Sequence, residues 1–207
     1  CGSTYLDAGA TALDSCNGDV SGSIIAAGTV ETAIPGVYSV TYNVSDASGN
    51  QAVEATRTVE VMDTLAPVIT LAGNATVTVE CGAAYTESGA TAEDDCDGIL
   101  NDSIVITGDV DANVTGDYSV VYSVADSAGN TAAEVTRTVN VVDTAAPAIT
   151  VTGGNTITVE CGTVFADPGA VAVDACEGDL SAEIGAGGDT VDEAVPGEYM
   201  LTYNVSD

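Results

Sequence analysis

The six cysteines are the residues of this sequence most able to form covalent cross-links. They fall into three pairs with fourteen residues between the two members: Cys1 and Cys16, Cys81 and Cys96, Cys161 and Cys176. A structural zinc site takes four ligands, and the sequence offers no His and no C-x2-C pair. We therefore expect disulfides, and the spacing favours Cys1–Cys16, Cys81–Cys96 and Cys161–Cys176, each closing a loop of about 15 residues worth about 3 kcal/mol.

Carboxylates are the second group that could do chemistry. Asp and Glu number 32 against two cations, which gives a formal net charge of −30. Ca²⁺ binds about six to eight hard oxygen ligands. The acids that we select as candidate calcium ligands lie beside cysteines, at strand ends and in tight loops: Asp14, Asp63, Glu87, Asp94, Asp126, Asp143, Asp167 and Asp174. The alternative is ordinary turn chemistry, in which Asp caps a loop, since no EF-hand loop is present.

Arg57 and Arg137 are the only cationic side chains. Each lies two and four residues before a valine, so on a strand its side chain points to the same face as those valines. We expect that face to be the inward one, where a guanidinium needs a carboxylate partner. We expect two structural ion pairs and no ligand-binding arginine.

Enzymatic chemistry is not expected of this sequence. Without His or Lys it cannot build a His-based triad or a Lys Schiff base. Paired carboxylates can serve a glycosidase, but here they recur on loops and there is no Trp to hold a sugar ring. Five asparagines open N-x-S/T triplets, which leaves glycosylation open: Asn43, Asn74, Asn101, Asn113 and Asn204.

The charge and hydropathy also restrict the partners. A chain with two cations cannot neutralise phosphates, so we expect no nucleic-acid partner. No run of about 18 apolar residues exists, so we expect no membrane span. Hydrophobic residues make up 45% of the chain, which is too much for a disordered acidic tail.

An internal repeat sets the context of all these residues. Cys-Gly recurs at residues 1, 81 and 161, a spacing of 80 residues. All nine aromatic residues occupy three positions of this repeat: Tyr5, Tyr85 and Phe165; Tyr38, Tyr118 and Tyr199; Tyr42, Tyr122 and Tyr203. A period of 80 is too long for a solenoid unit. We therefore predict three small domains: 1–63, 64–143 and 144–207.

Each repeat is expected to be all-β. Residues 118–124 alternate aromatic and β-branched residues with smaller ones, which is typical of a strand, and 136–142 should be the returning strand. Residues 68–71, 76–80 and 104–107 supply further short strands. Several strands with turn signals about every ten residues favour a β-sandwich.

The motifs D-T-x-A-P, G-A-x-A, Y-x-V-x-Y-x-V and G-N resemble those of bacterial immunoglobulin-like surface repeats, and the resemblance covers essentially the whole chain. They are similar to hyalin-type repeats and to the Ig-like modules related to those of insecticidal crystal toxins. The resemblance implies tandem seven-stranded Ig-like sandwiches, arranged end to end in extracellular proteins, with no catalytic activity.

The repeat also bears on the disulfides and on the ends of the sequence. If the segment between two cysteines of one repeat is a single strand, its ends lie too far apart for a disulfide. The segment must then turn back near Gly89, or the bonds join neighbouring domains.

The first repeat lacks the opening strands and the third lacks the closing strand. We interpret the sequence as a window cut from a longer array. The alternatives are a lipidated Cys1 and a subunit completed by donated strands.

From these observations we expect a structural protein, a stalk or filament on or outside a microbial cell. Its partners would be further repeats of the same chain or other copies of it. An adhesin segment, or the accessory module of a larger secreted protein with a cell-surface or glycan ligand, is the alternative. No cofactor is required, and Ca²⁺ at the domain junctions is the only ion that the acids suggest.

Overall fold

A computed structural model describes all residues, 1–207, and the chain is almost entirely β-structure. The all-β prediction is confirmed. The only helical segments are three single turns of 3-10 helix, at Ser21–Ser23, Asn101–Ser103 and Ser181–Glu183. None of the helical turns has the length or the apolar character needed to cross a lipid bilayer.

The first repeat contains five strands: β1 (Leu13–Asp14), β2 (Gly18–Asp19), β3 (Ile25–Ala27), β4 (Gly36–Asn43) and β5 (Ala55–Val61). β1 and β2 form an antiparallel hairpin. β3, β4 and β5 form a second, antiparallel sheet in that order.

The middle repeat contains seven strands: β6 (Val68–Leu71), β7 (Thr76–Glu80), β8 (Ala90–Asp94), β9 (Gly98–Ile99), β10 (Val105–Thr107), β11 (Gly116–Ser123) and β12 (Val135–Val142). One sheet has the order β6-β8-β9 and the other the order β10-β11-β12-β7. β7 runs parallel to β12, with Thr76 opposite Thr138 and Glu80 opposite Val142.

The third repeat contains five strands: β13 (Ala148–Val151), β14 (Ala170–Asp174), β15 (Gly178–Asp179), β16 (Gly185–Gly188) and β17 (Leu201–Asn204). They form the sheets β13-β14-β15 and β16-β17. Residues 156–160, the counterpart of β7, are not part of a strand. The 207 residues contain no third-repeat counterpart of β12 with which they could pair.

Side-chain alternation explains the two long strands of the middle repeat. In β11 and β12 the inward positions hold Val120, Tyr122, Val139 and Val141, all at most 3% exposed. β-branched and aromatic side chains fit such a half-buried pleated surface. A glycine is required where the chain approaches β11, because Gly108 has φ +99° and a Cβ there would overlap the carbonyl oxygen of Ser119.

The described residues form two compact units. The first comprises residues 1–72, 89–106 and 122–135, and the second comprises residues 73–88, 107–121 and 136–207. The domain boundaries that the repeat suggests, after residues 63 and 143, stay a prediction.

Candidate functional site

The disulfides are the first feature of the candidate site, and they join different repeats. In the first unit Cys1 is bonded to Cys96, with the two Cα atoms 5.9 Å apart, and in the second unit Cys81 is bonded to Cys176 at 5.3 Å. Both bonds span 95 residues. Each therefore links the first cysteine of one repeat to the second cysteine of the next.

The predicted pairing within each repeat, Cys1–Cys16, Cys81–Cys96 and Cys161–Cys176, is wrong. Cys81 follows β7 and Cys96 follows β8, which are strands of different sheets, and each of these cysteines is bonded to a cysteine of another repeat. The Cys81 N–H donates to the carbonyl of Val142 at 2.7 Å. This cysteine therefore lies at the end of β12, where the chain continues into the third repeat. Cys16 and Cys161 are exposed free thiols in this structure.

An Asp turn positions the second cysteine of every repeat. Oδ1 of Asp94 accepts the N–H groups of Cys96 and Asp97 at 2.8 and 3.0 Å. Asp174 does the same for Cys176 and Glu177 at 2.6 and 3.1 Å. These N–H groups lower the pKa of Asp174, because they stabilise its ionised form.

Carboxylates surround both disulfides. In the first unit, oxygens of Asp63 and Asp94 and the sulfur of Cys96 lie within 4.8 Å of one another. In the second unit, oxygens of Asp143, Asp174, Glu177 and Asp207 lie within the same distance of one another. We call these groups the Asp63 cluster and the Asp143 cluster. Hydrogen bonds with Asp174 and Asp143 raise the pKa of Glu177 to about 7.

Only half of the predicted calcium ligands lie in the clusters, namely Asp63, Asp94, Asp143 and Asp174. Asp126 is a loop cap, since its two oxygens accept the backbone and side-chain N–H groups of Asn130, each at 2.7 Å. Asp14 caps its own turn. Glu87 and Asp167 lie elsewhere, against tyrosines of their own repeats.

The sequence reasoning missed Glu177 and Asp207 as members of the Asp143 cluster. A signal for Glu177 was present, because the residue after the second cysteine is acidic in two repeats, Asp97 and Glu177, and is Asn17 in the first. Asp207 occupies in the third repeat the position that Asp126 has in the middle repeat. Of these two acids, only Asp126 is among the predicted calcium ligands.

Glu80 fixes the linker into the third repeat. Its carboxylate accepts the N–H groups of Thr144 and Ala145 at 2.7 and 2.9 Å and the Thr144 hydroxyl at 2.9 Å. The Thr144 N–H is the main reason why the pKa of Glu80 is lowered. The start of the D-T-A-A-P linker is therefore held against the end of β7.

The two arginines lie inside their repeats, away from the disulfides. Arg57 forms an ion pair with Asp7 and donates to the carbonyl of Gly9 at 2.8 Å. The Tyr42 hydroxyl donates to Asp7 at 2.6 Å and is the main reason why the pKa of Asp7 is lowered. These contacts bind Arg57 to acceptors of its own repeat.

Arg137 is paired in the same way in the middle repeat, and more deeply. It forms an ion pair with Glu87, and its Nε–H donates to the carbonyl of Asn74 at 2.9 Å. The Tyr85 hydroxyl donates to Glu87 at 2.5 Å. The Arg137 side chain is only 1% exposed.

The five candidate glycosylation asparagines are all exposed at the residue level. Three of their side chains already form hydrogen bonds, and one of these is the Asn113 amide, which donates to Asp111 at 3.2 Å. The Asn101 oxygen accepts the Ala92 N–H at 2.8 Å, as the hydroxyl of Ser181 does for Ala172, and the Asn43 amide donates to Glu54 at 2.8 Å. Glycosylation at Asn43, Asn74, Asn101, Asn113 and Asn204 stays a prediction.

Two sheets of short antiparallel strands, with β7 added in parallel at one edge, define the middle repeat as an immunoglobulin-like β-sandwich. The chain belongs to the family of bacterial surface protein Ig-like domains, whose model matches residues 1–61, 69–141 and 149–207.

Other comparisons add little. The crystal structure of the lipoprotein BT2262 from Bacteroides thetaiotaomicron is similar over 51% of this chain, at 22% sequence identity and a TM-score of 0.35. The match covers 54%, about half, of that lipoprotein chain. No curated protein matches the sequence.

Proposed function

We propose that these repeats form an extracellular stalk or filament segment on a bacterial cell, in which disulfides tie each repeat to the next. The observation that carries this proposal is the common rule of the two bonds, which both join cysteines 95 residues apart. Cross-links between successive domains limit how far force can extend the chain, which suits a segment that transmits force.

The two loops that the disulfides close also overlap. Residues 1–96 form one loop and residues 81–176 form the other. A pulling force on the chain ends would therefore pass from Cys1 to Cys96, along the backbone to Cys81, and on to Cys176. Most of the backbone in the first two repeats lies outside this path, so the cross-links shield it from extension.

Single-molecule force spectroscopy, with handles at the two chain termini, tests this role. The oxidised chain should extend by only about 45 residues, or about 160 Å, before force reaches the disulfides. After reduction, or in the C96S/C176S variant, the extension should approach about 700 Å. Equal extension of about 700 Å under both conditions would contradict the proposal.

The same rule assigns roles to the two free thiols. Within an array, Cys161 would bond to the second cysteine of a following repeat and Cys16 to the first cysteine of a preceding one. Glutathione disulfide would take up the two electrons and two protons of each thiol pair. A chain extended after Asp207 by a copy of residues 127–207 should lose labelling of the original Cys161 by N-ethylmaleimide and keep that of Cys16, while the copy of Cys161 in the added repeat takes the label. Labelling of the original Cys161 would contradict the rule.

Location on the cell is tested independently. Antibodies against the chain should label intact bacteria that produce it, and labelling only after lysis would contradict a surface stalk.

The adhesin alternative predicts instead that one repeat alone retains binding to a surface or glycan. The distinctive residues recur in register in all three repeats, and this gives that alternative no support.

A further inference from the structure

The Asp63 cluster contains two buried carboxylate oxygens that the protein leaves without hydrogen bonds. Asp94 is 5% exposed, and Asp63 is half-buried. Oδ2 of Asp63 and Oδ2 of Asp94 are both inaccessible to solvent, and neither accepts a hydrogen bond. The other oxygen of Asp94 is used by the turn at Cys96, so only Oδ2 remains to face the neighbouring carboxylate.

Such an arrangement needs a positive partner. A buried carboxylate without a hydrogen bond or ion pair is costly, and two of them close together also repel each other. The two cationic side chains of the chain are already engaged, Arg57 with Asp7 and Arg137 with Glu87. The amino-terminal ammonium of Cys1 is engaged as well, since it donates to the carbonyl of Met62 at 2.9 Å. The compensating charge therefore comes from solution.

The second unit does not repeat this arrangement. Asp143 occupies the position of Asp63 and Asp174 that of Asp94, and Asp174 is 4% exposed. There, however, Glu177 is hydrogen-bonded to both Asp174 and Asp143, and no buried oxygen of the cluster lacks a hydrogen bond. Only the Asp63 cluster therefore needs a partner from outside the protein.

The chemistry of the ligands selects a hard divalent cation. The clusters offer carboxylate oxygens only, since the nearby sulfurs of Cys96 and Cys176 are consumed in disulfides. Ca²⁺ accepts about six to eight oxygens in flexible geometry and tolerates water in the remaining positions. Mg²⁺ demands a near-ideal octahedron and holds its own water tightly.

We propose that the Asp63 cluster is a calcium site at the passage from the first repeat to the second. Asp63 and Asp94 bind the ion, with water completing its shell. This proposal goes beyond the stalk function and does not depend on it, because a cation can bind whether or not the chain bears force.

The first repeat supplies a matched control. Oδ1 of Asp14 accepts the N–H groups of Cys16 and Asn17 at 2.9 and 2.7 Å, the same turn that Asp94 makes. Asp14 belongs to neither cluster. An Asn at residue 14, 94 or 174 keeps an oxygen acceptor for the turn, so each variant should fold.

Isothermal titration calorimetry of the chelator-treated full chain with CaCl₂ in 0.5 M NaCl tests the site. The unchanged chain, Asp14→Asn and Asp174→Asn should each bind one Ca²⁺, and Asp94→Asn should bind none. Circular dichroism of each variant verifies folding, and Asp63→Asn provides a second route to loss of the site.

Three results would overturn the proposal. The first is no calcium binding by the unchanged chain. The second is an equal loss of binding in Asp14→Asn and Asp94→Asn, which would indicate a diffuse ion atmosphere around a chain of charge −30. The third is displacement of Ca²⁺ by a tenfold excess of Mg²⁺, which would indicate non-selective counterion binding.

Discussion

At the scale of single residues, both cations are used in the interior of their repeats. Arg137 is buried against Glu87, and Arg57 is about one-third exposed beside Asp7. In the third repeat Asp167 accepts hydrogen bonds from Tyr203 at 2.6 and 2.7 Å, which lower its pKa. A tyrosine–carboxylate contact thus recurs in all three repeats, and an arginine completes it in two.

The difference in burial gives a prediction about the arginines. Arg137→Met should destabilise the middle repeat by about 1.5–3 kcal/mol, because a guanidinium that is only 1% exposed loses both its ion pair with Glu87 and its hydrogen bond to Asn74. Arg57→Met should cost clearly less, since the Arg57 side chain is 34% exposed and solvent screens its pair with Asp7. Urea unfolding of the two variants measures the difference. Equal losses would show that burial does not decide the strength of these ion pairs.

At the scale of elements, the number of strands differs among the repeats. β5 has no strand at the edge that corresponds to the β7 side of β12, and its inward valines Val59 and Val61 are only half-buried, whereas their counterparts Val139 and Val141 in β12 are 0% and 3% exposed. The middle repeat has both edge strands and holds most of the buried core. The added strands therefore account for the denser packing of the middle repeat.

Grafting the absent elements should stabilise the first repeat. A copy of residues 64–80 fused to the amino terminus at Cys1 should align its T-V-T-V-E segment parallel to β5, as β7 aligns with β12. We expect a melting temperature higher by at least about 4 °C, which corresponds to about 1 kcal/mol in a domain of this size. The matched control carries Pro in place of the central Thr of the grafted strand, which removes a ladder hydrogen bond. A similar rise for both grafts would contradict the proposed pairing.

The sequence predicts these elements well because their signals are local. The alternation in residues 118–124 lies in β11, and the parity of Arg137 with Val139 and Val141 places all three inside. The disulfide partners are not local. Cys81 bonds to Cys176 because its backbone is hydrogen-bonded to the end of β12, where the chain continues into the third repeat. The spacing of fourteen residues between the cysteines of one repeat does not predict this contact.

The carboxylate clusters show the same limit. Asp63 and Asp94 are both recognisable as acids at the ends of strands, but nothing in their local sequence brings them together. Glu87 and Asp167 have equally suggestive positions and contact tyrosines within their own repeats. Only the folded structure shows which acids lie in the clusters and which contact tyrosines inside their own repeats.

At the scale of the whole molecule, the account depends on cross-links between consecutive repeats. They are bonded in an overlapping series, in which the middle repeat supplies Cys96 to one bond and Cys81 to the other. The two arginines make this series directly measurable, because trypsin can cut the chain only after Arg57 and Arg137. The three resulting fragments each contain one complete cysteine pair.

The decisive measurement is mass spectrometry of the chain after blocking free thiols, unfolding it and digesting it with trypsin without reduction. We predict one covalently joined species that separates into three fragments only on reduction, with the blocking group on Cys16 and Cys161. Three separate fragments before reduction, each closed by its own internal disulfide, would contradict the account.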